Sequence, residues 1–234
     1  MSDDAAPQDA LGSYYEARAG EYEAIYRRPE RQADLARLRE WVARACAGRR
    51  VLELACGTGW WTEAAAERAR WIVATDFAEA PLAIARRKRY RCPVDFVRMD
   101  AYAPACATAA LDAGLAAFWW SHVPRARLPR FLAGFASRLT PGAVCLFIDN
   151  RYVEGSSTPL ARTDAAGDSF QQRTLADGTR HEVMKNFPSA AQVRAALAAI
   201  GGRIDVLELD YFWAARVVLS AGPAPVGRGG GQTV

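Results

Sequence analysis

The chain has 234 residues, of which 51% are hydrophobic, 24% charged and 10% aromatic. That balance excludes wholesale disorder and supplies enough apolar side chain for one good-sized core. The 30 Lys and Arg against 26 Asp and Glu give a formal net charge of +4, and all but two of the basic residues are Arg. Acidic residues are interspersed throughout, so the arginine excess reads as a coding bias rather than a nucleic-acid face. The five cysteines, Cys46, Cys56, Cys92, Cys106 and Cys145, include no C-x-x-C pair. This argues against a disulfide framework or zinc site and for a reducing cytoplasm. Residues 1–10 carry Asp3, Asp4 and Asp9 without an apolar core, so they do not read as a signal peptide. The longest apolar runs are too short to span a bilayer.

In chain order, residues 1–12 are small and polar, and 221–234 are rich in Gly and Pro; both are expected to be disordered. A helix is predicted at 13–27, with Tyr15, Ala19, Tyr22 and Tyr26 near one face, and a second at 31–46. Strands and helices then alternate. Strands are predicted at 51–54, 71–76, 94–99, 111–119 and 143–148. Helices are predicted at 60–69, 79–90 and 125–139, the last stopped by Pro141-Gly142. That rhythm implies parallel βαβ units with helices on both faces of the sheet. Residues 150–188 break it. There 170–185 reads as a hairpin about Asp177-Gly178, a two-residue type I′ turn that would set Arg173 opposite Glu182. A helix at 189–200, opened by Ser189 and closed by Gly201-Gly202, precedes two final strands at 203–209 and 211–220.

The segment Val51 to Thr62 reads VLELACGTGWWT: a buried strand, a glycine turn and a helix start. Glycine lets a ligand approach the backbone, and a helix N-terminus offers free N–H groups. Gly-x-Gly alone is weak evidence, but Asp76 ends the next strand and Asp100 the one after. An acid at the first position can accept from both hydroxyls of a ribose, and ligands of open α/β sheets bind at the carboxyl ends of strands. Glu53, Gly57, Gly59, Asp76 and Asp100 all collect there. A nicotinamide dehydrogenase would need a third small residue in the turn, where this chain has Trp60 and Thr62.

ELACGTG, Asp76, Asp100-Ala101, Leu111-Asp112 and LTPGAVCLFIDN together resemble the class I S-adenosylmethionine-dependent methyltransferases over about 13–220. Ala55 stands where the family's first motif usually has glycine. The resemblance implies a Rossmann-like three-layer α/β sandwich with a seven-stranded, mostly parallel sheet. It also implies an N-terminal helical lid at 13–46 and a cap insertion after strand five at 150–188. It assigns the cofactor, S-adenosylmethionine, to Tyr14 and Tyr22 of the lid and to Glu53, Ala55, Cys56, Gly57, Gly59 and Thr62 around the first turn. Asp76 and Phe77, then Met99, Asp100 and Ala101, then Phe118 complete that set. No metal is expected.

The acceptor side is read from the end of strand four, Phe118-Trp119-Trp120-Ser121-His122. It lacks the Asn/Asp-Pro-Pro-Tyr/Phe pattern of amino methylation on bases, and the Arg86–Arg89 run suits a solvated helix end. A small aromatic or carboxylate-bearing metabolite is therefore expected, methylated on O, N or S, with no nucleic-acid or membrane partner, by a monomer or homodimer. Trp119, Arg151, Tyr152 and His181 are candidate acceptor contacts, and His122 is both a contact and the candidate general base. The arginines of 150–188, Arg173 among them, hint at an anionic acceptor. The alternatives are a non-catalytic cofactor-binding regulator on the same fold and an RNA methyltransferase.

Overall fold

The structure, a computed structural model, describes residues 14–104 and 110–220. The chain ends expected to be disordered, and Cys106, lie outside the described residues. A short helical turn at 14–18 runs into a 3-10 segment, Ala19–Arg27, and then helix α1, Gln32–Ala45. The single α-helix expected at 13–27 is therefore replaced. Gly20 interrupts it, and Tyr26 is drawn inward to stack on Trp60, with ring centroids 4.1 Å apart.

Strand β1 (Arg50–Leu54) leads to α2 (Trp60–Ala66), β2 (Trp71–Asp76), α3 (Glu79–Ala85), β3 (Val94–Arg98) and β4 (Leu111–Ala117). After α4 (Leu128–Ala136) comes the long β5 (Leu139–Asn150). Pro141-Gly142 does not precede this strand but lies within it. It sits where the pairing with β4 slips between Leu111 and Ala113 and outside the stretch paired to the last strand, a bulge where proline's missing N–H is tolerated. α3 ends before the like-charged Arg86–Arg89 run, and Lys88 turns away to meet Glu23 at 2.6 Å and Glu63 at 3.0 Å.

Three short strands follow, β6 (Arg162–Thr163), β7 (Ser169–Thr174) and β8 (Arg180–Met184), as a separate antiparallel sheet. The β7–β8 register corrects the expected one: Arg173 faces His181, and Glu182 faces Gln172 and pairs with Arg162. The connection is longer than two residues. Gly178 donates to the Leu175 carbonyl at 2.9 Å and takes φ +86°, a turn followed by a left-handed glycine. Leu175 is thereby buried against Tyr14 and Val183. Helix α5 (Ala190–Leu197) opens with a Ser189–Gln192 capping box, and β9 (Arg203–Glu208) and β10 (Phe212–Val218) close the fold.

The main sheet has the order β3-β2-β1-β4-β5-β10-β9, parallel except for β10, which runs antiparallel between β5 and β9. Alternate side chains divide the core in two. Val51, Ile72, Leu115 and Leu146 pack under α1, α2 and α3; Leu52, Ala116, Phe147 and Trp213 pack under α4 and α5. The strand order reverses between β1 and β4, so the crevice at their carboxyl ends is the place for a ligand.

Candidate active site

A cleft opens at that crevice. Ala55 and Gly57 line it after β1, Asp76, Phe77 and Ala78 after β2, Met99, Asp100 and Ala101 after β3, and Phe118 and Trp119 after β4. Tyr15 and Tyr22 of the N-terminal segment close its mouth. Asp76 stands between strand and loop: one oxygen accepts from Gly57 N and the other from Ala78 N, at 2.8 and 2.9 Å. Burial pushes its carboxyl above the usual range, and these backbone donors offset that. A carboxylate has more acceptor sites than these two bonds use.

Gly57, at φ +56°, leaves space before the Tyr22 ring that a Cβ would enter at 3.5 Å. Gly59, at φ +80°, serves packing instead, because a Cβ there would lie 2.3 Å from the Tyr90 hydroxyl and 3.1 Å from Ala85. Ala55 and Phe118 also take positive φ, 53° and 60°, rare for residues with a Cβ. At Phe118 this turns the chain out of β4, so that Phe118 and Trp119 reach the cleft while Trp120 returns to the core between Phe147 and Trp213. Glu53, Cys56 and Thr62 lie buried beneath the loop rather than on the cleft wall. Burial pushes the Glu53 carboxyl up to about 8.

A second cavity adjoins the first and shares Tyr15, Tyr22 and Phe118 with it. Its polar lining is strongly cationic: Arg18, Arg28, Arg31, Arg173 and Lys185. Lys185 is buried, donating to Asp149 at 2.9 Å and to Ser121 Oγ at 2.5 Å. Burial alone would raise Asp149; the Lys185 ammonium and two backbone donors hold it below the usual carboxylate range. His122 also lines this cavity. The Met184 carbonyl, an acceptor only, lies 2.7 Å from Nδ1, which must carry the proton; Nε2 then accepts from the Tyr15 hydroxyl at 2.8 Å. Burial, with help from Lys185, pulls the imidazole down to about 3. It is neutral at physiological pH, with both ring nitrogens engaged.

The structure redistributes the remaining expected contacts. Tyr14 lines the second cavity, not the cofactor cleft, and Trp119 the reverse. Arg151 turns to the Leu209 carbonyl and Glu208, drawn by the β9–β10 turn. Tyr152 is exposed and packs on Phe187; His181 packs on Tyr14 and meets Thr179. None of these last three lines either cavity. Arg18, Arg28, Arg31 and Lys185 were not singled out from the sequence as acceptor contacts. Lys185 carried one usable signal, a lysine kept in an arginine-biased chain.

A methyltransferase-domain family, Methyltransf_25, matches residues 51–142. A solved DhpI–SAM–HEP complex is 30% identical, with a TM-score of 0.73 over 92% of this chain and 98% of that one. The chain belongs to the class I S-adenosylmethionine-dependent methyltransferases. A DhpI–SAH complex is 29% identical, with a TM-score of 0.71 over 91% of this chain and 96% of that one. The malonyl-[acyl-carrier protein] O-methyltransferase of Serratia marcescens is 27% identical over 201 residues, 85% of this chain and 70% of the relative. The methyltransferase uses S-adenosylmethionine, and its cleft fits that cofactor. Two acids, Asp76 and Asp100, line it at the ends of β2 and β3, and Gly57 keeps space open before Tyr22. Among the described residues no helix is long and apolar enough to cross a membrane.

Proposed function

We propose that this methyltransferase methylates an anionic oxygen of a small acid seated in the second cavity. The observation that carries this reading is the cationic lining of a chamber that meets the cofactor cleft at Tyr15, Tyr22 and Phe118. Asp76 would take the ribose hydroxyls, Asp100 and Ala101 the adenine edge, and the Gly57 turn the methionine end. Met99, Phe77 and Phe118 would supply flat apolar contact. When bound, the cofactor supplies an electrophilic methyl group on a sulfonium. The chain's own task is to align a nucleophile and exclude competing water. A carboxylate, phosphate or phosphonate oxygen has no proton to lose, so no residue need accept one. This suits His122, whose low basicity and Tyr15 hydrogen bond make it a positioning group rather than a base. The relative named as an O-methyltransferase supports the choice of oxygen.

The test is a panel of small carboxylates, phosphates and phosphonates beside neutral phenols, amines and thiols. Each is incubated with enzyme and S-adenosylmethionine and read by mass spectrometry. Methyl esters of the acids are expected. Turnover confined to the neutral acceptors would overturn the proposal.

A further inference from the structure

We infer that the acceptor carries two oxyanion groups, and that Arg28 and Arg31 hold the one that is not methylated. The inference rests on the anionic-acceptor reading above and narrows it. Charge matching comes first. Of the five cations lining the second cavity, Lys185 is matched by Asp149. Glu30, its side chain 38% exposed, lies 3.9 Å from both Arg28 and Arg31 and answers one of their two charges. Arg18 and Arg173 have no carboxylate partner among the described residues: Arg173 bonds Gln171, and Arg18 lies against the Tyr14 and Tyr22 rings. One carboxylate leaves most of this charge unanswered, whereas two anionic groups answer it.

The cations also fall into two places. Arg18 lies 5.5 Å from the Tyr22 ring centre, on the wall shared with the cofactor cleft, and Lys185 lies 6.0 Å from Phe118 of the same wall. Arg28 and Arg31 instead converge on the loop after β5. Arg28 donates to the Ser156 carbonyl at 2.6 Å, and Arg31 to that carbonyl at 3.1 Å and to the Ser156 hydroxyl at 2.8 Å. Arg31 is 9% exposed and is held over the Tyr211 and Phe212 rings. Its buried Nε makes no hydrogen bond among the described residues and has the Glu30 carboxylate 3.9 Å away. Two guanidiniums held side by side on one loop make a fork suited to a planar or tetrahedral oxyanion. Burial, and then the neighbouring arginine charges, pull Arg31 and Arg173 below the usual guanidinium range, so the cluster repels itself until an anion arrives.

Binding is measured by calorimetry on the enzyme loaded with S-adenosylhomocysteine, using succinate, glutarate and phosphonoacetate against butyrate and methylphosphonate. Methyl transfer to the same acids is followed in parallel. The two-anion acids are expected to bind at least tenfold more tightly than the single-anion acids, and Arg28→Gln to collapse that ratio toward one. The Arg28 side chain is 44% exposed and lies outside the core, so this variant keeps the fold. Single-anion acids that bind and react as well as the two-anion acids would overturn the inference and leave the anionic-acceptor reading standing. An Arg28→Gln loss shared equally by both classes would overturn it as well. Failure of every acid to bind or react would take down both.

Discussion

Asp76 is both part of the loop and part of the ligand wall. Its carboxylate ties down Gly57 N and Ala78 N while the residue lines the cleft. Asp76→Ala therefore removes a ligand contact and loosens the turn. Affinity for S-adenosylhomocysteine should fall at least tenfold, from the loss of charge-assisted hydrogen bonds at about 1.5–3 kcal/mol. Calorimetry giving an affinity within twofold of the parent would refute the ribose assignment. Asp76 was legible in the sequence because its role follows from position at a strand end. Phe118 was legible only as a residue; its φ of 60° was not. Left-handed backbone at a bulky side chain costs about 1–2 kcal/mol and is sustained only by surrounding structure, here the Phe118 N–H to Ile148 carbonyl bond and the rings of Tyr26, Trp61 and Phe212.

Among the elements, α3 begins without a capping side chain of its own, since Ala78 occupies its N-cap. Glu16 supplies the cap from the N-terminal segment, accepting from Glu79 N at 2.6 Å and Ala80 N at 3.0 Å. The same segment is fastened by Tyr15 to His122 and by Glu23 to Thr58 and Lys88. Glu16→Ala should cost about 1 kcal/mol of local docking and leave the rest of the fold in place. Hydrogen exchange across 14–27 should quicken several-fold while the urea midpoint barely moves; unchanged exchange would show that the cap does not hold this segment. The parallel strands were readable because burial on both faces leaves continuous apolar runs, Trp71–Ala74 and Ala143–Ile148 among them. The β7–β8 register was not. Asp177-Gly178 signals a local turn, but what lengthens the connection is Leu175 tucking under Tyr14, a contact between segments about 160 residues apart.

For the whole molecule, two buried groups oppose each other as pH changes. Glu53, pushed by burial up to about 8, keeps its proton in the folded chain, while unfolded it ionises near 4.5. Between those values the unfolded chain binds fewer protons, so stability falls as pH rises. His122, pulled down to about 3 against an ordinary 6.5, does the reverse: the unfolded chain binds more protons in that window, and stability rises with pH. The slopes offset each other between 4.5 and 6.5, so the loss between 6.5 and 8 belongs to Glu53. Urea midpoints at pH 6 and pH 8.5 should fall for the parent and stay nearly level for Glu53→Gln; equal falls would show that Glu53 is already ionised when folded. Legibility divides in the same way across the molecule. The cofactor half is local, gathered from 55 to 119 plus two tyrosines, and could be read along the chain. The cationic chamber is assembled from residues 18, 28, 31, 173 and 185, which only folding brings together and which a uniform arginine excess conceals.

That division has a consequence for descent. The stretch by which the family is recognised, residues 51–142, contains none of the five cations of the second cavity. Selection can rewrite the two flanking segments while the shared stretch, and with it the use of S-adenosylmethionine, passes on unaltered. Descendants of one ancestor can thus diverge in what they methylate and leave no mark in the region that declares their kinship.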